Sequence, residues 1–339
     1  ASWKEALDQV AEVLGVPPQD SDDRGREVGP APVAAPATTS APAERESLSL
    51  ETFKEATISA VCRKAGIPRE FLGREIPLPP KSGDALGPFN AKAAEKAAEA
   101  WGAEVDEEGQ VLSCSSLAES EFGAGPLRDY MANRLGGRRV LLDPEVVRLQ
   151  PRLEYIDDND QASYWPGMVA LIHGPEGDVV GVHRTYLTRE GLKAPVENPK
   201  KAITRQTGAM TGGAIRLWEP EGATTLYVTE GIETAWAVQA ATPGAAVWAA
   251  INAGNMERLV VPSRFSRVVV MADHDKHWRW DNRRQEEVPH ARGQLAGARL
   301  ALRLGWAGFK VDLRVPPAQS HVELDWLDVY QLNNAVKRG

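Results

Sequence analysis

Carboxylates follow two short apolar segments in the second half of the chain. Leu226–Thr229 leads into Glu230, and Val268–Ala272 leads into Asp273 and Asp275. Such β-branched runs are typical of buried parallel strands, whose carboxyl ends meet at one edge of a sheet. In an extended segment, residues i and i+2 point the same way, so we expect both aspartates to face one point. Three convergent carboxylates repel one another unless a cation lies between them, and such hard oxygen ligands suit Mg²⁺ or Mn²⁺.

The pairing of Glu230-Gly231 with an Asp-x-Asp sequence about 43 residues later resembles the Toprim domain. This is the metal-binding catalytic domain of bacterial-type DNA primases, topoisomerases and some nucleases. The resemblance implies that Glu230, Asp273 and Asp275 hold Mg²⁺ or Mn²⁺ for metal-assisted phosphoryl transfer. We expect Gly231 to allow a tight turn before a helix. The alternative is an ordinary α/β sheet whose strands end in acidic residues.

The segment before these strands resembles the Toprim primases of phages, plasmids and other mobile elements. The resemblance rests on the run GVHRTYL at 181–187, a lysine soon after it, and the Gly-Gly and Arg-Leu pairs at 212–217, and it covers about residues 126–332. It implies a basic subdomain that guides the template. By that match Arg184 and Lys193 contact phosphates, and the weaker candidates are Lys201, Arg205 and Arg216. A solvated basic face is the alternative.

An acidic segment near the end, ELDWLDVY at 323–330, has a counterpart in the mobile-element primases. By that resemblance Asp325 and Asp328 are candidate ligands for a second cation. Their alternative role is to cap the last helix, where carboxylates accept hydrogen bonds from free N–H groups.

Aromatic and basic residues alternate just beyond Asp275, in the predicted loop 276–290. Trp278, Arg279 and Trp280 are suited to stacking on unpaired bases and pairing with phosphates of a single strand. The alternative is a surface loop whose tryptophans pack on their own domain. We expect the histidines of this region to lie beside the site or face solvent, because no cysteine accompanies them to form a zinc site.

Composition is that of a globular protein, with 42% hydrophobic and 25% charged residues. The net charge of −8 is uneven: residues 1–180 hold 18 Lys and Arg against 31 acids, and residues 181–339 hold 21 against 16. A polyanionic partner is therefore expected only for the second half. Two isolated cysteines, Cys62 and Cys114, predict neither disulfides nor a zinc ribbon and favour the cytoplasm. No membrane-spanning run or signal peptide is visible.

The predicted fold class is α/β: a Toprim-type, mostly parallel sheet with flanking helices, preceded by a mixed α+β basic subdomain and a helical N-terminal region. Helices are predicted at Leu50–Ala65, Ala91–Trp101 and Pro126–Leu135, and strands from about residue 164, with a turn at His173–Asp178. The predicted domains are a short helix at 1–16, a Pro/Ala-rich linker at 17–45, a helical accessory region at 46–150, the basic primase-core subdomain at 151–222 and the Toprim catalytic domain at 223–332.

The resemblance implies a DNA primase that synthesises primers on single-stranded DNA from nucleoside triphosphates. The sequence shows neither the zinc ligands of the family's N-terminal domain nor the Walker A motif of a fused helicase. A replicative helicase or another replication protein is therefore a candidate partner in trans. Two alternatives stay open: a Toprim metal-dependent nuclease, and a non-catalytic replication-initiation factor that binds nucleic acid. A topoisomerase is disfavoured, because it needs a tyrosine on a separate DNA-gate domain.

Overall fold

The computed structural model describes residues 47–80, 86–105, 111–114 and 123–336. The predicted helix at 1–16 and linker at 17–45 lie outside the described residues. Within these ranges no helix has the length and apolar character needed to cross a membrane.

Seven helices and fifteen strands occur in the described ranges. The helices are α1 (Glu55–Ala65), α2 (Ala91–Trp101), α3 (Gly125–Arg134), α4 (Ile232–Ala241), α5 (Ala253–Met256), α6 (Arg292–Trp306) and α7 (Trp326–Val336). The strands are β1 (Ser47–Ser49), β2 (Glu75–Pro77), β3 (Ala103–Val105), β4 (Val111–Cys114), β5 (Val147–Ile156), β6 (Ala162–His173), β7 (Val179–Tyr186), β8 (Lys200–Thr204), β9 (Ile215–Trp218), β10 (Thr225–Thr229), β11 (Ala246–Ala249), β12 (Arg267–Met271), β13 (Trp278–Asp281), β14 (Glu286–Pro289) and β15 (Lys310–Arg314).

The central sheet has the strand order β15-β12-β10-β11-β9. Its first four strands are parallel, and β9 runs antiparallel at the edge. Both faces are covered: α4 and α7 pack on one face, and α1 and α6 pack on the other. Burial on two faces explains why these strands read as continuous apolar runs. The predicted α/β class, with a mostly parallel sheet and flanking helices, is confirmed.

A second sheet is antiparallel, with the order β5-β6-β7-β8. One of its faces joins the core shared with α3, α4 and α7, and the other face packs on α2. A bulge between Gln150 and Leu153 shifts the register of β5 against β6. The bulge turns the strand, so Leu149 lies in the core shared with α3, α4 and α7, whereas Leu153 lies in the core against α2. This sheet therefore presents two chemically different faces.

The first described region is only partly as predicted. The helix at Ala91–Trp101 is found as predicted, and the one predicted at Pro126–Leu135 is shifted by one residue. The helix predicted at Leu50–Ala65 starts only at Glu55, because Ser49 accepts a hydrogen bond from Glu51 and caps a separate 3-10 turn. Two short antiparallel strand pairs, β1-β2 and β3-β4, also belong to this region, which is therefore not purely helical.

Two further departures concern strands. β5 and the β13-β14 pair were not predicted, and the segment 276–290, predicted as a loop, is a β-hairpin. β9 falls in the predicted basic subdomain but pairs with β11 of the central sheet. The domain boundaries themselves stay a prediction.

Gly181 makes the close approach of β7 and β8 possible. A Cβ there would collide with the Ile203 carbonyl oxygen and lie 2.8 Å from the Thr204 Cα. We expect Gly181→Ala to lower the free energy of unfolding by about 3 kcal/mol, because two paired backbones must separate. Gly305→Ala is the control: no atom lies within 4 Å of its Cβ on α6. It should add roughly 0.5–1 kcal/mol through helix propensity. Urea unfolding of both variants measures the difference, and equal stabilities would contradict the strand pairing.

Candidate metal and phosphate site

Glu230 and Asp273 leave neighbouring parallel strands at the same edge of the central sheet. Thr229, the last residue of β10, pairs with Met271, the last residue of β12. Glu230 follows directly, and Asp273 follows two residues beyond Met271. The backbone N–H of Ala253, at the start of α5, lowers the pKa of the Glu230 carboxyl against the effect of burial. The predicted convergence of strand ends is therefore present in the fold.

The segment that carries Asp275 is fixed through its backbone. The fully buried Gln294 side chain accepts from the Asp275 N–H at 3.0 Å and donates to the Asp275 carbonyl at 2.8 Å. The Gly293 N–H, in the first turn of α6, donates to Asp275 Oδ2 at 2.6 Å. A Cβ at Gly293 would lie 2.7 Å from the Asp273 carbonyl oxygen, so only glycine allows α6 to begin this close. One oxygen of Asp275 is thus engaged within the fold.

His274 ties the same segment to the acidic residues near the end of the chain. Its backbone N–H donates to the Leu324 carbonyl and its carbonyl accepts from the Leu324 N–H. Its buried ring lies with Nδ1 3.0 Å from the Val322 carbonyl oxygen. This bridge brings Asp325 and Asp328 to the carboxylate edge, as a ligand role requires, and it excludes a solvent-facing His274.

Asp325 and Asp328 also cap the last helix. The Asp328 N–H donates to Asp325 Oδ1 at 2.7 Å, and the Asp325 N–H donates to Asp328 Oδ2 at 3.1 Å. This is a reciprocal capping arrangement at the start of α7. One oxygen of each carboxylate accepts these bonds, so the capping role and a ligand role can be held together.

Burial and mutual repulsion both act against the charged form of the carboxylates at this edge. Burial, followed by the charges of Glu230, Asp325, Asp275 and Asp328, raises the pKa of Asp273 well above its ordinary value. Burial, and then Asp275, raises the pKa of Glu230. We call Glu230, Asp273, Asp275, Asp325 and Asp328 the carboxylate cluster. Its electrostatic cost is the kind that a bound cation removes.

The donor chemistry of the cluster fits a hard divalent cation. Asp273 Oδ1 is buried and has no hydrogen-bond partner among the described residues. A buried carboxylate oxygen without a donor is costly unless a ligand satisfies it. Across the described ranges, however, no three His, Cys, Asp or Glu side chains are arranged to hold an ion. Glu230 and Asp273 are the residues that would hold the cation first, and the remaining carboxylates would have to turn towards it.

A buried ion pair joins the second sheet to this edge. Lys200 on β8 lies with Nζ 2.6 Å from Oε1 and 2.7 Å from Oε2 of Glu233, in the first turn of α4. Tyr130 on α3 donates to Glu233 Oε1 at 2.6 Å. Burial alone would raise the pKa of Glu233, but Lys200 and Tyr130 together lower it to about 2. The sequence analysis did not place either Lys200 or Glu233 in the site. The signal was present, because Glu233 falls in the first turn of the helix that follows Glu230.

Lys193 is the predicted basic residue that does lie near the cluster. Burial, and then the charge of Lys200, lowers the pKa of Lys193, and the charges of Glu233 and Asp325 oppose this shift. No carboxylate of the described residues lies within ion-pair distance of its ammonium group. Lys193 and Lys200 therefore form a pair of cations beside the carboxylates.

Arg184 and Lys201 lie on the opposite face of the second sheet. They are cross-strand partners, and neighbouring residues of a strand point to opposite faces. Lys200 points to Glu233, whereas Lys201 donates to the Ile156 carbonyl at 2.9 Å. The guanidinium of Arg184 lies 5.6 Å from the centre of the Tyr186 ring. The structure thus separates these two residues from Lys193 and from the carboxylates.

The carboxylate cluster lies within a segment that matches a known family. Residues 225–335 match the family model of the Toprim domain. This part of the chain is a Toprim domain. Toprim domains bind divalent metal ions such as Mg²⁺. Residues 117–217 match a domain of unknown function, DUF7146. No curated protein matches the chain.

Two solved structures are similar to a limited extent. The primase fragment of the bacteriophage T7 primase-helicase protein aligns over 67% of this chain and 80% of its own, with 14% identity and a TM-score of 0.34. A chain from the structure of bacteriophage T7 lagging-strand DNA polymerase with primase domains bound to an RNA/DNA hybrid and dTTP aligns over 55% of this chain and 80% of its own, with 14% identity and a TM-score of 0.28. Similarities of this extent leave the chemistry to be argued from the residues themselves.

Arg205 and Arg216 lie outside the Toprim carboxylate cluster. Arg205 forms an ion pair with Asp178, at the end of the β6-β7 turn. Arg216 stacks 4.6 Å from the centre of the Trp248 ring, and burial lowers its pKa. Arg216 Nε is buried without a hydrogen-bond partner among the described residues. The structure does not bring either arginine to the carboxylates.

The β13-β14 hairpin projects from the Toprim domain just beyond Asp275. Trp278 and Trp280 share one face of β13, and their exposed fractions are 48% and 53%. Trp278 packs edge-to-face on Phe71, with ring centroids 5.3 Å apart, whereas Arg279 is exposed on the other face. Neither tryptophan is buried, but Trp278 packs within the chain, so base stacking by these rings stays a prediction.

The Lys200–Glu233 pair predicts how stability depends on pH, because the pKa of Glu233 is lowered in the parent and should be raised when Lys200 is removed. In the parent, the lowered pKa of Glu233 gives stability that is present above pH 4.5, its ordinary pKa, and is lost as the pH falls towards 2. Lys200→Met leaves Glu233 buried without a cation, so its pKa rises above the ordinary value. We expect this variant to lose about 2 kcal/mol at pH 7, less than for a fully buried pair because Lys200 is partly exposed.

Acidification should shrink that loss, because the folded variant then binds a proton at Glu233. His183, whose pKa burial and Lys200 lower to about 4, faces the same pair and acts in the same direction. The control is Lys201→Met on the other face, whose stability difference should stay constant between pH 7 and pH 4. Urea unfolding at several pH values measures both variants. A pH-independent loss in Lys200→Met would contradict the buried pair.

Proposed function

We propose that this protein is a metal-dependent primase that joins nucleotides on a single-stranded DNA template. The observation that carries the proposal is the meeting of two opposite kinds of charge at one sheet edge. The carboxylate cluster suits a divalent cation, and Lys193 and Lys200 beside it suit phosphates. A site for nucleotidyl transfer needs both, because the triphosphate binds to metal ions and to basic side chains at once.

The reaction forms a bond between the 3′-hydroxyl oxygen of one nucleotide and the α-phosphorus of a nucleoside triphosphate. The bond from that phosphorus to pyrophosphate breaks, and the hydroxyl proton is released. Bound at this site, Mg²⁺ or Mn²⁺ would supply the positive charge that neutralises the triphosphate and polarises its α-phosphorus. Glu230 and Asp273 would hold the ion, with Asp275 through the oxygen that Gly293 does not engage. Asp325 and Asp328 are proposed for a second ion.

The two lysines would bind the substrates. Two of the three N–H bonds of the Lys200 ammonium suffice for Glu233, which leaves a third for a phosphate oxygen. Among the described residues, Lys193 has no ion-pair partner to release before it binds a phosphate. The proposed partners are single-stranded DNA and nucleoside triphosphates, with a replicative helicase or other replication protein in trans.

Asp273→Asn tests the proposal. The full chain is incubated with single-stranded template, labelled ribonucleotides and Mg²⁺ or Mn²⁺, and the products are separated by size. We expect short oligonucleotides from the parent and a loss of at least about a hundredfold in the variant, because the carboxylate that the ion neutralises is gone. Without metal, the variant should be as stable as the parent or more so, since one repelling charge is removed.

The control is Asp158→Asn, which removes an exposed carboxylate of the β5-β6 turn and should keep full activity. Full synthesis by Asp273→Asn at low millimolar metal would sink the proposed ligand set. A shortened template would indicate a nuclease that activates water with the same metals. Neither product, with single-strand binding retained, would indicate a replication factor without catalysis.

The hairpin beyond Asp275 is proposed to hold the single strand. Trp280 is half exposed, and the basic residues Arg279, Arg283 and Arg284 stand on the same hairpin. An exposed indole beside guanidinium groups provides a stacking platform that does not depend on base identity.

Trp280→Ala should raise the dissociation constant for a short single-stranded oligonucleotide by roughly tenfold, the value of one stacked base. Its melting temperature should not change, because the ring buries little surface. Trp306→Ala is the matched control, since that ring is 58% exposed at the end of α6. Fluorescence titration of parent and variants gives both constants. Equal affinities for Trp280→Ala and Trp306→Ala would remove the stacking role.

A further inference from the structure

A cavity of about 340 Å³ opens on the face of the second sheet that points away from the carboxylate cluster. Its walls come from α2 and from all four strands of the sheet. The sheet curves strongly enough for Lys201 on β8 to reach the Ile156 carbonyl on β5 at 2.9 Å. The curvature makes one wall of the cavity, and α2 closes another.

The lining is mainly basic. Four cations line the cavity against two carboxylates, and these residues are Lys96, Arg152, Arg184, Lys201, Glu99 and Glu154. The nearest pairing is weak, since Lys96 lies 3.9 Å from Glu154. The cavity therefore carries a net positive charge that the fold itself does not neutralise.

Arg184 is the most telling of these residues. Its Nε is buried and has no hydrogen-bond partner among the described residues, and no described carboxylate lies within ion-pair distance of it. Burial lowers the pKa of its guanidinium, which is therefore partly desolvated. A cation kept partly from water without an anion is costly unless a ligand supplies one. Its cross-strand position opposite Lys201 places two cationic side chains next to each other.

Aromatic rings stand beside the cations. The Arg152 guanidinium lies 3.8 Å from the centre of the Tyr164 ring, which is 48% exposed. Arginine and tyrosine planes of this kind also stack on a nucleobase. Glu99 and Glu154 offer acceptors for amino or hydroxyl groups, which a bare inorganic anion lacks. The volume is at the lower end of small-ligand sites and suits one nucleotide rather than a strand.

We propose that this cavity is a second binding site, which takes a free nucleoside phosphate on the face opposite to the Toprim carboxylates. Arg184 and Lys201 hold the phosphates, Tyr164 with Arg152 holds the base, and the carboxylates accept from the base or the ribose. The site needs no metal ion, and it does not depend on the proposed primase activity.

Calorimetric titration of the full chain with ATP in EDTA tests this site, because chelation prevents metal-dependent binding at the carboxylate cluster. We expect one ATP per chain, and an affinity at least about tenfold lower in Arg184→Gln, because a charge-assisted contact is lost. Arg63→Gln, an exposed arginine on α1 with the same charge change, is the control and should bind as the parent does.

Tyr164→Ala gives a second variant, whose exposed ring can be removed without disturbing the fold and whose affinity should fall several-fold. Inorganic pyrophosphate should bind more weakly than ATP. Four results would overturn the proposal: no ATP binding by the parent at millimolar concentration; full binding by Arg184→Gln; binding that Lys193→Gln alone abolishes; or an oligonucleotide that binds more tightly than ATP and is weakened by Arg184→Gln.

Discussion

A carboxylate that is almost fully enclosed links the two sheets, in addition to the hydrophobic core that they share. Glu233 begins α4 directly after the strand that ends at Glu230, and it accepts from Lys200 of the second sheet and from Tyr130 of α3. Three segments far apart in the sequence therefore meet on one side chain. A buried charge is tolerated only when it is paired and hydrogen-bonded, so each partner is required by the others. This contact places the ammonium group of Lys200 beside the carboxylates.

The Asp-x-Asp segment is placed mainly by neutral interactions, to which the Asp275 carboxylate adds one hydrogen bond from the Gly293 N–H. Gln294 satisfies the backbone of Asp275 in both directions, and the backbone bridge between His274 and Leu324 brings in the residues that precede α7. Asp273 is consequently free of the task of holding the fold together, whereas Asp275 accepts from Gly293, and Asp325 and Asp328 cap α7. The carboxylates therefore stay close together in the folded protein. The pKa of Asp273 is raised, and one of its oxygens has no hydrogen-bond partner among the described residues. Carboxylates that the fold holds together against their repulsion are suited to a cation, because the ion would remove that repulsion without a rearrangement of the backbone.

Sequence patterns predicted the carboxyl edge well because its signal is local. Apolar runs that stop at Glu230 and Asp273 indicate both buried parallel strands and the positions at which those strands end. The structure contains the two strands as parallel neighbours, β10 and β12. The bridge that carries Asp325 to the same edge rests on backbone pairing, which no side-chain pattern shows; only the resemblance indicated it. β5 was missed because a bulge interrupts its alternation. The β13-β14 hairpin was read as a loop because its turn, Asp281 to Glu286, carries no glycine or proline.

The basic residues predicted for the site lie on different faces of the second sheet, because neighbouring residues of a strand point to opposite faces. Lys200 and Lys201 are adjacent in the sequence and equally charged, yet the period of two sends one to Glu233 and the other to the Ile156 carbonyl. Composition cannot distinguish them; only the register of β8 against β7 does, and Gly181 sets how closely those strands approach. The same register pairs Lys201 with Arg184 on the far face. One basic stretch of sequence therefore supplies two separate positive surfaces, one facing carboxylates and one facing tyrosines. Because their surroundings differ, the proposed phosphate on the first surface would lie beside carboxylates that suit a cation, whereas the proposed phosphate on the second would be held by guanidinium and ammonium groups alone.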